Sequence, residues 1–97
     1  MNMNEEKTGI VYEEDQETIT DSKLPFKVIL YNDDWHTFDE VITQLIKAIQ
    51  CNIGEARAFA FEVHVKGLAM VYSGNLQKCL KVSSVLEEIE LHTQVVS

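Results

Sequence analysis

Ninety-seven residues leave room for one small domain, since single hydrophobic cores usually need roughly 100 to 150 residues, and they exclude a large multi-domain enzyme. The apolar share is 45%, with four Phe, three Tyr and one Trp, so the chain has the material for a packed core. Eight Lys and Arg against sixteen Asp and Glu give a formal charge of −8, which argues against binding a phosphate backbone and points to neutral or cationic partners rather than nucleic acid.

Residues 1–23 carry seven acids and two lysines, a local charge of −5, and the few apolar residues among them lack periodic partners. Like-charge repulsion and chain entropy then outweigh packing, so 1–23 is expected to be a disordered acidic tail and 24–97 the folded domain. The start of the chain has Glu5 and Glu6 where a secretory signal has a basic flank and an apolar stretch, and no run reaches the ~18 apolar residues of a membrane span. A cytoplasmic, non-membrane protein is expected. Cys51 and Cys79 stand alone, with no C-x-x-C spacing, and are read as reduced structural thiols.

After Pro25, Phe26-Lys27-Val28-Ile29-Leu30-Tyr31 has the β-branched and aromatic composition of a strand, and Asn32-Asp33-Asp34 ends it, because these side chains bond their own backbone. Phe38, Val41, Ile42, Leu45, Ile46 and Ile49 then recur at spacings of three and four, predicting a helix over 38–50 with Thr37 as its cap and Glu40 three residues on. Gly54 interrupts that pattern. A second, short, alanine-rich helix follows through Ala56, Phe59, Ala60 and Val63 to Lys66, with Gly67 suited to a left-handed end.

Leu68 to Ser73 reads as a second strand and Ser73-Gly74-Asn75 as a turn. Leu76, Cys79, Leu80, Val82, Val85, Leu86 and Ile89 predict a third helix, and Leu91 to Val96 alternates like a closing strand. The order β-α-α-β-α-β implies an α+β two-layer sandwich: a three-stranded antiparallel sheet covered by helices on one face.

Three features can support a site: the Asn32-Asp33-Asp34 loop, His64 near the end of the second helix, and apolar residues between them. Metal binding is poorly served, because Asp33 and Asp34 are adjacent with diverging side chains, and His36 and His64 lie 28 apart without a Cys or Glu at ligand spacing. Ser73, Ser83 and Ser84 lack a nucleophile-elbow glycine pattern, so hydrolysis is disfavoured too. No cofactor, metal or catalytic residue is expected. An amide carbonyl, a carboxylate and a neutral imidazole are all acceptors, and three of them converging would suit the three donors of a primary ammonium. Phe38, Val41, Ala60 and Val63 would form the apolar pocket beside them, with Ala60 leaving volume for a large side chain. The plain alternative is equally physical: N-D-D is a common turn string, and a histidine at a helix end often just satisfies a backbone carbonyl.

The run from Phe26 to Asp34, followed by the aromatic Trp35, resembles the signature of the ClpS family, the adaptor of the Clp protease, and Glu62-Val63-His64-Val65-Lys66-Gly67 is similar to that family's A-V-H-x-x-G segment. The resemblance implies a non-enzymatic, monomeric adaptor for the N-end rule: it would bind proteins that begin with Leu, Phe, Tyr or Trp and hand them to a ClpA- or ClpC-type AAA+ ATPase. It places the substrate's α-amino group against Asn32, Asp33 and His64, and the first side chain over Phe38, Val41, Ala60 and Val63. It gives the amino-terminal tail a role in delivery.

Two departures stand out. Where most members have Thr-Pro-Met or Thr-Pro-Leu, this chain has His36-Thr37-Phe38, which removes a proline from the start of the first helix and puts a bulkier ring at the pocket gate. On the third helix the family's E-x-A-E-x-K pattern is replaced by Leu76-Gln77-Lys78-Cys79-Leu80-Lys81, leaving Gln77 and Lys81 as the candidates for ATPase docking. An interaction module that modulates the ATPase without reading amino-terminal residues is the alternative function.

Overall fold

The structure, a computed structural model, describes residues 25–97, so the acidic segment 1–23 expected to be a tail lies outside the described residues. Strand β1 (Phe26–Tyr31) is the centre of the fold, flanked by β2 (Leu68–Gly74) and β3 (Thr93–Val96) in the order β2-β1-β3, both antiparallel to it. Val28 and Leu30 are fully buried, while Lys27, Ile29 and Tyr31 between them are only half-buried, so the two-residue alternation of the strand sends one face to the core. Helices α2 (Ile53–Lys66) and α3 (Leu76–Glu87) pack on that face, and α1 (Phe38–Ile49) packs against both of them. This is the β-α-α-β-α-β α+β sandwich read from the sequence.

The pairing of β1 with β2 slips once: Val28 faces Tyr72 but Ile29 faces Met70, so Val71 is the extra residue of a bulge. The slip turns Tyr72 towards the same side as Val28, and its ring lies over Gly74, where an added Cβ would come within 3.0 Å of it.

The helices begin on side-chain caps. Thr37 and Asn52 each accept from the N–H three residues on, and Glu40 and Glu55 return the bond to the cap's own N–H, which satisfies donors that a helix leaves open. Gly54 therefore does not break anything: it is the second residue of α2, which at 14 residues is the longest of the three helices, not a short one. The expected turn at 73–75 is also absent. Gly74 finishes β2, and Asn75 caps α3 directly by accepting from the Lys78 N–H.

Helix α1 stops at Ile49 with Gln50 left-handed (φ 59), and α2 ends on Gly67 (φ 88), whose N–H donates to Val63 O. At the carboxyl end α3 gives out at Glu87 and β3 begins only at Thr93, because the chain reverses through Glu90 at φ 65. Leu30, Leu45, Leu86, Val28 and Cys79 are the largest fully buried side chains, and both cysteines are free, with burial pushing each thiol's pKa up. Among the described residues no helix is long and apolar enough to cross a membrane.

Candidate functional site

The corner after β1 is fastened on two sides. The N–H of Tyr31 donates to His92 O at 3.0 Å, and the N–H of Asn32 donates to Gly67 O at 2.9 Å, which ties the corner to the carboxyl end of α2. Asp33 then organises the loop that leads into α1. Its Oδ1 accepts from the N–H groups of Trp35 (3.1 Å) and His36 (2.8 Å), the self-capping geometry that makes Asp a turn residue. Its Oδ2 lies 2.6 Å from His36 Nδ1, and the other ring nitrogen of His36, Nε2, reaches the carbonyl oxygen of Ile89 at 2.5 Å.

The His36 side chain is only 3% exposed. A carbonyl oxygen can only accept, so Nε2 carries a hydrogen, and a carboxylate facing Nδ1 favours a hydrogen there too. Burial alone would lower the His36 pKa, but the Asp33 carboxylate and the Ile89 carbonyl outweigh it and raise the pKa above its ordinary value. Asp33 shows the complement: burial opposes ionisation, yet the backbone N–H and imidazole of His36 and the Trp35 N–H hold its pKa below the usual carboxylate value. Both ring nitrogens face acceptors, which favours an imidazolium on a carboxylate, and the exposed Trp35 indole lies beside the imidazole, tilted by 32° with ring centroids 3.9 Å apart. With both ring nitrogens engaged, His36 has no lone pair to offer as a general base.

This loop forms one lip of a shallow, half-open depression. Tyr31, Asn32, Asp33 and His36 supply its polar side, and Leu30, Val41, Val63 and Leu91 its apolar side. Of the residues singled out from the sequence, the structure brings together Asn32, Asp33, Val41 and Val63. Phe38 is 45% exposed and is not part of the lining, so its ring does not fill the depression. Ala60 is buried in the core instead of facing the pocket. His64 is exposed on the last turn of α2, three residues before the Gly67 that holds Asn32, and does not line the cavity. Gln77 and Lys81 are exposed on α3, far in sequence from the lip. No group of His, Cys, Asp or Glu among the described residues is arranged to hold a metal ion.

The missing proline does not leave the start of α1 loose. Thr37 accepts from Glu40 N–H at 3.1 Å and its own N–H donates to Glu40 Oε1 at 2.7 Å, a bond that proline cannot make. His36 is the lip residue that spacing does not isolate. Its signal was present as Asp33 and His36 three apart, but the role depends on Ile89, which is 53 positions away.

The architecture agrees with what comparison with known proteins finds. A family model described as ATP-dependent Clp protease adaptor protein ClpS matches residues 21–94. The chain is 34% identical over 70 residues to the E3 ubiquitin-protein ligase UBR1 of Drosophila melanogaster, covering 71% of this chain and 4% of that protein. It is 40% identical over 58 residues to human E3 ubiquitin-protein ligase UBR2, covering 60% of this chain and 3% of the ligase. The chain therefore spans only a few per cent of the length of these relatives. Among solved structures it is similar to Agrobacterium tumefaciens ClpS2 bound to L-phenylalaninamide, with a TM-score of 0.68 at 17% identity, covering 76% of this chain and 99% of that one. At that identity the likeness is one of fold. The family match extends over most of the chain, and the chain belongs to the ClpS family of Clp protease adaptor proteins, a family of adaptors rather than enzymes.

Proposed function

We propose that this protein is an N-end-rule adaptor: it binds the first residue of proteins that begin with Leu, Phe, Tyr or Trp and delivers them, in the cytoplasm, to a ClpA- or ClpC-type AAA+ ATPase. The observation that carries the reading is that Asn32 and Asp33 share one depression with Leu30, Val41, Val63 and Leu91. Acceptors at the lip suit a free α-ammonium, and the apolar side suits a large first side chain. His64, one turn from the Gly67 anchor, is assigned as the third acceptor. The similarity to ClpS2, whose bound L-phenylalaninamide has a free amine and a benzyl group, supports the same ligand chemistry.

Charge-assisted hydrogen bonds contribute roughly 1.5 to 3 kcal/mol each and burial of one large side chain about as much again, from which association entropy removes several. The net is micromolar affinity, about −8 kcal/mol. A fluorescence titration of the full chain with Leu-, Phe-, Tyr- and Trp-initiated peptides and with their N-acetylated forms tests this. Binding should vanish on acetylation, which removes the cation and two donors together. Equal affinity for an acetylated peptide overturns the reading.

Delivery rests on α3, where Gln77 and Lys81 are assigned to the ATPase's amino-terminal domain. His64 and Ala60 do not line the depression, which favours as the second reading a ClpS-like module that acts on the ATPase without reading amino termini. Titrating the ATPase domain separately from the peptides distinguishes the two.

A further inference from the structure

The Asp33 carboxylate already has most of its acceptor capacity filled. Oδ1 takes two backbone N–H groups, and Oδ2 faces His36 Nδ1 at 2.6 Å, so a ligand ammonium arriving at the lip finds the charge of Asp33 paired with a cation that is almost completely buried. We propose that the His36 proton and the ammonium of a bound amino terminus compete for the Asp33 carboxylate, so that His36 makes recognition weaken as the solution becomes acidic. This rests on the amino-terminal reading given above and extends it to a residue at a position where the family pattern has threonine.

The geometry explains why the two cations are linked. His36 lines the same depression as Asp33, so an ammonium there lies near the imidazolium with one carboxylate between them. Like charges sharing one counter-charge disfavour each other's charged form. Among the described residues, the charged groups acting on His36 are Asp33 and, from the first turn of α1, Glu40; from the turn after α3 the Ile89 carbonyl faces it. Glu40 is engaged by the Thr37 N–H in the capping box, so Asp33 is the group the ligand has to share. When the ammonium takes Oδ2, a neutral imidazole can keep Nε2–H on Ile89 O and leave the lip intact. By linkage, a ligand that binds better to the deprotonated form must lower the histidine's pKa by the same factor.

The test is an NMR titration of the His36 ring in the full chain, alone and saturated with a Leu-initiated peptide, alongside affinity measured from about pH 5 to 7, a range in which the peptide's amine, with a pKa near 7.7 to 8.0, stays protonated. The His36 pKa should lie about one pH unit lower in the complex, with Kd larger by up to about tenfold at the acid end. Measured in a His64→Gln background, so that the other imidazole assigned to the ligand cannot titrate, His36→Gln should bind with a nearly flat profile, and at about pH 5.5 at least as tightly as His64→Gln alone, since the competing cation is gone. A His36 pKa that stays put or rises in the complex overturns the proposal, and so does a His36→Gln variant that keeps the slope or is weaker at every pH. Should that variant fail to fold, the ring titration of the unaltered chain decides alone. Absence of peptide binding at any pH, with His36 still titrating normally, instead rejects the amino-terminal reading and the competition with it.

Discussion

The N–H of Asn32 donates to the carbonyl oxygen of Gly67 at 2.9 Å, a bond that makes the end of a helix the anchor of the loop that carries Asp33. Gly67 holds φ at 88, and a Cβ built there meets nothing within 4 Å, so the cost of Gly67→Ala is backbone strain without a clash. We expect a loss of about 1 to 2 kcal/mol in urea unfolding, since a left-handed conformation costs an L-residue about that much. The variant should also bind a Leu-initiated peptide more weakly, because a shifted Gly67 carbonyl moves Asn32. An unchanged unfolding midpoint would show that the helix end is not constrained as described.

The Asp33–His36 pair gives stability a predictable pH window. His36 has its pKa raised on folding, so its contribution is complete below the ordinary imidazole value of 6.5 and disappears as pH rises through the higher folded value. Asp33 has its pKa lowered, so its contribution is complete above 3.8 and is lost as pH falls through the lower folded value. Both describe the same contact, which is therefore strongest between 3.8 and 6.5. In denaturant melts the stability difference between the parent and His36→Gln should be greatest in that window and shrink towards alkaline pH. A difference that stays constant to alkaline pH would mean His36 is not held as an imidazolium.

Much of this was legible in the sequence because it is local. Thr37 with Glu40, the three-and-four spacing of α1 and the alternation of β1 each arise within a few residues, and all six elements follow in the expected order. What stayed hidden depends on partners distant along the chain or on a single residue's phase. Gly54 looks like a breaker by composition, but the Asn52 cap places it in the first turn, where glycine's weakness costs little. The bulge at Val71 adds one residue to β2 without disturbing its apolar run. Ala60 and Val63 share a helical face and are both buried in the core, and only packing decides that Val63 also borders the depression.

Thr37→Ala isolates the device that replaces proline at the start of α1. It removes the acceptor for Glu40 N–H while the backbone donor to Glu40 remains, so the loss should be about 1 kcal/mol, within the range of about 0.5 to 2 seen when a cap is deleted. Val41 sits one turn beyond this cap and lines the depression, so the variant should also show faster amide exchange over residues 38–41. Thermal unfolding and hydrogen exchange read the two effects separately. A Thr37→Ala chain with parental stability would show that the capping box contributes nothing here.

His64 is exposed, so the fold should not need it: His64→Ala is expected to leave the melting temperature essentially unchanged. Binding is a different matter if its imidazole accepts from the ligand's ammonium, because one charge-assisted hydrogen bond is worth roughly 1.5 to 3 kcal/mol and its loss weakens affinity by at least about tenfold. Comparing His64→Ala with His64→Gln sharpens the point, since the glutamine carbonyl can still accept and should restore part of the affinity. Parental binding by His64→Ala, measured by titration with a Leu-initiated peptide on a chain of normal stability, would remove His64 from the recognition site and leave the ammonium to Asn32 and Asp33 alone.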